Sequence, residues 1–473
     1  MKLIKLKKTC QDRLYSSIEK NLKINHIQSY IPIFSNIIKF ENNNYSRRLF
    51  IFDSQYIIIS FEDNGDEDIN FTLQGKINVN IISKELYIKS NNYNSYKNYI
   101  RTKQIFIKSN PILDTLKYME GLYCSSLSPS IFSYLTNKKI NNINNNAYIE
   151  VICCFLLNKL LEKNLTSLFP IFYGTYNGIS NSYTHDITED YEYIKDTDWF
   201  SKNENNLFEI INNNNFDEFD KLSLDNLKIY DFDSNNIDIS NIKTENNTLI
   251  DLDINLNENL EEVYSKKEIK NDSDSENESE CECDSNSECL SECECLSECE
   301  SNSECESNSE SDFSISSRES HLYSIINTKL KSMPVQILCQ ELLEFTLTDK
   351  IKKGINFLEW KSILFQICFG LAVAQKHLSF IHNDLHSDNI MFKNTETSYK
   401  YFCFNDTYFK VPTFGLETKI IDFARGIIKF NNKLLISDVF VKDGDAGGQY
   451  NYFKKKLSFN KKLNMNFDLT RLG

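Results

Sequence analysis

Residues 380–392 read Phe-Ile-His-Asn-Asp-Leu-His-Ser-Asp-Asn-Ile-Met-Phe, and this stretch decides how the chain is organised. Before it lies Phe357 to Phe380, FLEWKSILFQICFGLAVAQKHLSF, apolar on most faces and rich in helix formers, which predicts a long buried helix. The helix gives way to a polar loop holding Asp384, Asp388 and Asn389, and Ile390–Phe392 then starts a short apolar strand. Further on, Lys419 to Gly426 (KIIDFARG) predicts a second short strand that delivers Asp422, followed by Phe423.

That order of carboxylate, amide and carboxylate fits phosphoryl transfer. One carboxylate must orient an attacking hydroxyl and accept its proton, and Asp384 is the candidate base. Two oxygen donors must hold Mg2+ against the phosphates; Asn389 is the neutral candidate and Asp422 the charged one. Singly, each acid reads more readily as an ordinary loop or strand-end residue; together with Asn389, in order and in context, they read as a site. Asp388 is read as a solvated acid, and His377 as a packed or snorkelling helix residue.

Upstream, Gln104–Lys108 (QIFIK) predicts a strand ending in lysine, and Ala147 to Leu161 a buried helix. Phe169–Gly174 reads as a strand ending in a turn, and Val335–Glu341 as a buried strand. Residues 1 to 100 hold short strand-like runs, Leu49–Phe52 and Tyr56–Phe61, whose role the sequence leaves unknown.

His382-Asn383-Asp384 through Asn389 resembles the catalytic loop of protein kinases, His-Arg-Asp with Asn five residues after the Asp, and Asp422-Phe423-Ala424 resembles Asp-Phe-Gly. The C-terminal half is more closely similar to the kinase-like proteins of giant DNA viruses. Its Asp-Leu-His form also resembles haspin-type kinases and the aminoglycoside phosphotransferase type of small-molecule kinase. The resemblance implies Mg-ATP as cofactor. It implies that Lys108 holds the nucleotide phosphates with Glu150 as its partner, and that Glu341 to Leu343 form the hinge that hydrogen-bonds adenine. It makes Asp468 a brace for the catalytic loop, makes His382 structural, and puts Ser437–Tyr450 where an activation segment lies. Read without the resemblance, Lys108 is a strand-end surface lysine and Glu150 an exposed helix acid.

The departures carry their own expectations. No Gly-x-Gly-x-x-Gly precedes Lys108, and Gly75 stands alone, so other backbone must cover the phosphates. Asn383 replaces the loop arginine and cannot pair a phosphorylated activation segment. His386 stands where a lysine is usual, and its charge depends on pH near neutrality. Ala424 replaces a glycine, which narrows the backbone there. The chain ends at Gly473, soon after Asp468, which makes the expected large lobe short.

The formal charge of -15 is local. Asp272 to Asp312 holds 16 acidic residues and no Lys or Arg; the remainder has 51 acidic against 52 basic residues, with no basic field for nucleic acid. That segment repeats six-residue units of Ser, Glu and Cys and takes seven of the 14 cysteines. Low hydrophobicity with high like charge predicts disorder, and the Cys-x-Cys pairs lack structural zinc spacing. The basic start lacks a signal-peptide core, and no apolar run approaches the ~20 residues of a membrane span.

The expectation is therefore an α+β, two-lobed, protein-kinase-like fold. A region of unknown role covers 1–100, and a small antiparallel lobe covers 101–178 and 321–347, interrupted by a disordered acidic insert at 179–320. A short, mainly helical lobe covers 348–473. The expected activity is a serine/threonine-type protein kinase using ATP and Mg2+ on a protein substrate. The alternatives are a pseudokinase scaffold and a small-molecule kinase. No nucleic acid or membrane partner is expected. The location is expected to be soluble and intracellular, in host cytoplasm or virion if the chain is viral.

Overall fold

The computed structural model describes residues 3–36, 50–62, 74–90, 95–123, 131–212, 325–404, 407–447 and 464–472. The Ser/Glu/Cys repeat and the expected insert from 213 to 320 lie outside the described residues.

The fold is α+β. Its main sheet has six antiparallel strands: β1 (Ile24–Gln28), β2 (Tyr56–Phe61), β3 (Gly75–Ser83), β4 (Arg101–Pro111), β5 (Phe172–Ser180) and β6 (Met333–Gln340). They lie in the order β1-β5-β6-β4-β3-β2, so one strand before residue 100, β3, pairs directly with the Lys108 strand. Alternation along β4 decides which side chain faces where. Ile105 and Ile107 join the core against helix α1 (Lys8–Leu22), whose Leu14 and Ile18 are buried there. Lys108 points the other way, opposite Leu338, toward helix α2 (Asn146–Glu162).

The long helix α3 spans Phe357–Leu378 and starts at a capping box formed by Asn356 and Glu359. Ile363, Ile367, Leu371 and Ala374 make its buried stripe, packed against α2 and the strands Leu416–Ile420 and Ile427–Phe430. Among the described residues α3 is the one helix long and apolar enough to cross a membrane by length and composition. Glu359, Lys361 and Lys376 interrupt its apolar run. Gly370 permits close packing: a Cβ there would lie 2.3 Å from a methyl of Leu168.

Two boundaries differ from expectation. The strand expected to end in a turn at Gly174 runs on to Ser180. Beyond 179 the chain also stays ordered, through strand Tyr183–Asp186, helix Asp198–Asn203 and strand Phe208–Asn212. Tyr183, Phe200 and Phe208 are buried. A few well-spaced aromatics anchor this Asn- and Asp-rich stretch, which average hydrophobicity conceals.

Candidate active site

Lys108 is the centre of a three-charge cluster. Its Nζ lies 2.8 Å from Glu150 Oε1 and 3.1 Å from Asp422 Oδ1. Asn110, two residues along β4 and so on the same face, donates Nδ2 to Glu150 Oε2 at 2.5 Å. Both oxygens of the Glu150 carboxylate, which is 1% exposed, are thereby satisfied. Burial pulls the Lys108 ammonium down, but Asp422 and Glu150 outweigh it and hold it above the ordinary lysine value. Burial raises Glu150, against the pull of Lys108. For Asp422 burial also acts upward, yet Lys108 prevails and the carboxyl sits below its ordinary value.

The polar loop after α3 is held from two sides. Asp468, fully buried on the helix Phe467–Leu472, accepts the backbone N–H groups of His382 at 2.8 Å and Asn383 at 2.9 Å. His382 Nε2 lies 2.8 Å from the Ile421 carbonyl, and its Nδ1 faces the Asp384 N–H at 3.3 Å. A carbonyl only accepts and an amide N–H only donates, so the proton is assigned to Nε2. This bridge joins the loop to the residue before Asp422. Phe423 packs edge-on against Phe169, Phe380 and His382, with ring centroids 6.2, 5.9 and 5.7 Å away. Asn383 has φ 66° and Asp422 φ 62°, so the left-handed backbone sits at Asp422 and not at Ala424.

Asn389 ends a short turn, Ser387–Asn389. Its Nδ2 donates to the Asp384 carbonyl and lies against His386 Nε2, each at 3.0 Å, and its own carbonyl accepts Ile421 N–H at 3.0 Å. The amide Oδ1 has no hydrogen-bond partner among the described residues. Asp384 meets two guanidiniums, both on Oδ1: Arg471 at 3.0 Å and Arg425 at 3.4 Å.

Glu341 and Leu343 follow β6 and belong to a separate polar cluster. The buried Glu341 carboxylate pairs with Lys393, lies 3.6 Å from Lys419 and accepts Ile171 N–H at 3.2 Å. Burial acts upward on it, but Lys419 and Lys393 keep it below its ordinary value. Burial in turn brings Lys419 down to about 8, opposed by Glu341. Leu343 is buried.

The expected residues thus form three groups: Lys108, Glu150 and Asp422; Asp384 with Asn389, joined to the first through His382 and Ile421; and, apart from both, Glu341 beside Leu343. The sequence reading missed Asn110, Arg425 and Arg471. The period-2 step from Lys108 marked Asn110; nothing local marked either arginine.

No family model matches the chain. Bovine (Bos taurus) serine/threonine-protein kinase haspin is 37% identical over 100 residues, 20% of this chain and 13% of that protein. The haspin homolog of Arabidopsis thaliana is 32% identical over 107 residues, covering 22% and 18%. A protein of Acanthamoeba polyphaga mimivirus whose name places it among serine/threonine-protein kinases is 28% identical over 138 residues, 26% of each. The chain resembles the protein-kinase-like superfamily. These kinase-like matches span between 13% and 26% of the relatives' own lengths.

Proposed function

We propose that the chain is an ATP- and Mg2+-dependent phosphotransferase of the serine/threonine protein-kinase type. The observation that carries this reading is Lys108 held between Glu150 and Asp422, because it couples a phosphate-binding cation to a metal-binding carboxylate. The main sheet with α2 would form a small lobe and the chain from 348 a second, joined at 341–343. There the Glu341 carbonyl and the Leu343 backbone would meet adenine, since the Glu341 side chain is already engaged. The acidic insert would then begin at 213 rather than 179.

Lys108, with Glu150 fixing its position, would bind the nucleotide phosphates. Asp422 and Asn389 Oδ1 are hard oxygen donors that fit Mg2+ when phosphate and water complete its shell. Among the described residues no three His, Cys, Asp or Glu side chains group to hold a metal, so the ion would be shared with the nucleotide. When bound, it supplies neutralisation of the charge on the transferred group. The acceptor hydroxyl oxygen attacks the γ-phosphorus, the bond to the ADP oxygen breaks, and the proton passes to Asp384. Both guanidiniums lie on Oδ1, which leaves Oδ2 to take that proton. Gly75, which opens β3 opposite Ile107, brings backbone beside Lys108 without a glycine-rich loop.

The same two arginines favour a second reading, a nucleotide-binding pseudokinase in which Asp384 is permanently engaged. The deciding experiment is transfer of label from γ-labelled ATP with Mg2+ to general protein acceptors and to small-molecule alcohols, beside Asp384→Ala. Label on protein that the variant abolishes supports the kinase. Label on the small acceptors alone supports a small-molecule kinase. No transfer by folded protein that binds nucleotide refutes the enzyme reading in favour of the pseudokinase.

A further inference from the structure

Asp438 lies far in sequence from the residues it binds. It opens the turn Asp438–Phe440, just after the hairpin of strands Ile427–Phe430 and Lys433–Ile436 that follows Asp422. Its side chain is 8% exposed. Oδ2 pairs with Lys139 Nζ at 2.7 Å and accepts Asn142 Nδ2 at 3.0 Å. Oδ1 accepts the backbone N–H of Asn146, the first residue of α2, at 3.0 Å. The Asp438 N–H donates to the Asn144 carbonyl at 2.7 Å, and Ile436 N–H to Asn144 Oδ1 at 3.3 Å.

The first N–H groups of a helix have no partner within it. In α2 the Asn145 side chain covers Ala147 and Asp438 covers Asn146. A carboxylate also suits the positive end of the helix dipole. Glu150 follows Asn146 by one helical turn, about 6 Å along the axis. The two carboxylates on Lys108 therefore come from two elements, α2 and the Asp422 segment, and Asp438 ties the second back to the start of the first. The ring runs from Asp422 through the hairpin to Asp438, into α2, to Glu150 and through Lys108 back to Asp422.

We propose that Asp438 is a positioning residue that holds Glu150 in register with Lys108 and so sets nucleotide binding. This rests on the phosphotransferase reading above for its consequence, but not for its geometry. Without the clamp, α2 loses its fixed start while Asp422 stays on the loop, and Lys108 keeps one partner instead of two.

The test uses the full chain with Asp438→Ala, Asp438→Asn and Lys139→Met. Amide hydrogen exchange is read at residues 146–150, and nucleotide KM and kcat are read separately. In Asp438→Ala, exchange at 146–150 is expected to accelerate roughly 10- to 100-fold, the size of one lost charge-assisted bond. KM for ATP is expected to rise about tenfold with a smaller change in kcat, the sign of lost ground-state binding. Asp438→Asn keeps an acceptor for Asn146 but turns an N–H2 donor toward Lys139 and Asn142, so it recovers only part of both, while Lys139→Met shifts both in the same direction by less. A merely structural role would lower the folded fraction and leave KM alone. Unchanged exchange at 146–150, or faster exchange with unchanged KM, overturns the proposal. If the wild type transfers no phosphate, directly titrated ATP affinity replaces KM. If it binds no nucleotide, the functional reading fails and the proposal with it, while the exchange data still report whether the clamp exists. Should Asp438→Ala not fold, the other two variants decide by the same criteria.

Discussion

Replacing Lys108 by Met keeps the aliphatic stem and removes the charge, leaving Glu150 buried without its ion pair. Breaking a buried pair from one side costs about 3–5 kcal/mol, because the remaining charge is uncompensated. Glu150 carries most of this, being 1% exposed; Asp422 is 39% exposed, so water screens its share. The sign with pH follows from the direction of the Glu150 shift. Burial already raises its carboxyl, and loss of Lys108 removes the main opposing influence. A carboxyl whose folded value lies above its unfolded one binds protons preferentially in the folded state. Stability of the variant therefore falls as pH rises from the unfolded value near 4.3 through the raised folded one. Urea unfolding should show a larger penalty at pH 8 than at pH 5, since a protonated Glu150 carries no uncompensated charge and still bonds Asn110. Adding Glu150→Gln should recover at least half of the loss at pH 8 and abolish its pH dependence. A penalty below about 1 kcal/mol at pH 8 would mean that the pair is screened like a surface pair. An equal penalty at both pH values would mean that packing, not charge, was lost. Either result refutes the reasoning.

Gly370→Ala places a Cβ 2.3 Å from Leu168 Cδ2 and 2.5 Å from its Cβ, so thermal unfolding should show a loss of about 1–3 kcal/mol from overpacking. Combined with Leu168→Ala, the loss should be smaller than the sum of the two single changes. Asp468→Asn removes one of two acceptors for the His382 and Asn383 amides, and should cost about 1.5–3 kcal/mol and speed exchange of those two amides ahead of their neighbours.

The helix from Phe357, the Asp384 loop and the Asp422 strand were legible because each announces itself within a few residues. Apolar content gives the helix, and the carboxylate and amide spacing gives the loop. Lys108 and Glu150 were legible only as candidates, because their meeting depends on sheet order and on the placement of α2, neither of which short-range pattern encodes. The strands before residue 100 were read without a role for the same reason: β3 pairs with β4 by backbone bonds that any side chains permit. The ordered stretch at 181–212 was misjudged because three buried aromatics, not average composition, hold it.

Asp438 shows where such reading stops. It is a single acid between the apolar runs Leu434–Ile436 and Val439–Val441, which gives it no pattern of its own, in a segment placed by resemblance alone. Its partners Lys139, Asn142 and Asn146 lie nearly three hundred residues earlier in Asn-rich sequence that composition bias explains equally well. The asparagines of this run are the ones that bond: Asn142 and Asn144 through their side chains, Asn145 as the cap of α2, and Asn146 through its backbone. Biased composition supplies the residue type without choosing the position, so at a helix start, where Asn is among the best caps, it costs the fold nothing. What turns an ordinary capped helix into part of a site is the carboxylate arriving from the far end of the chain. That contact is defined only once the sheet, α2 and the Asp422 hairpin have already assembled.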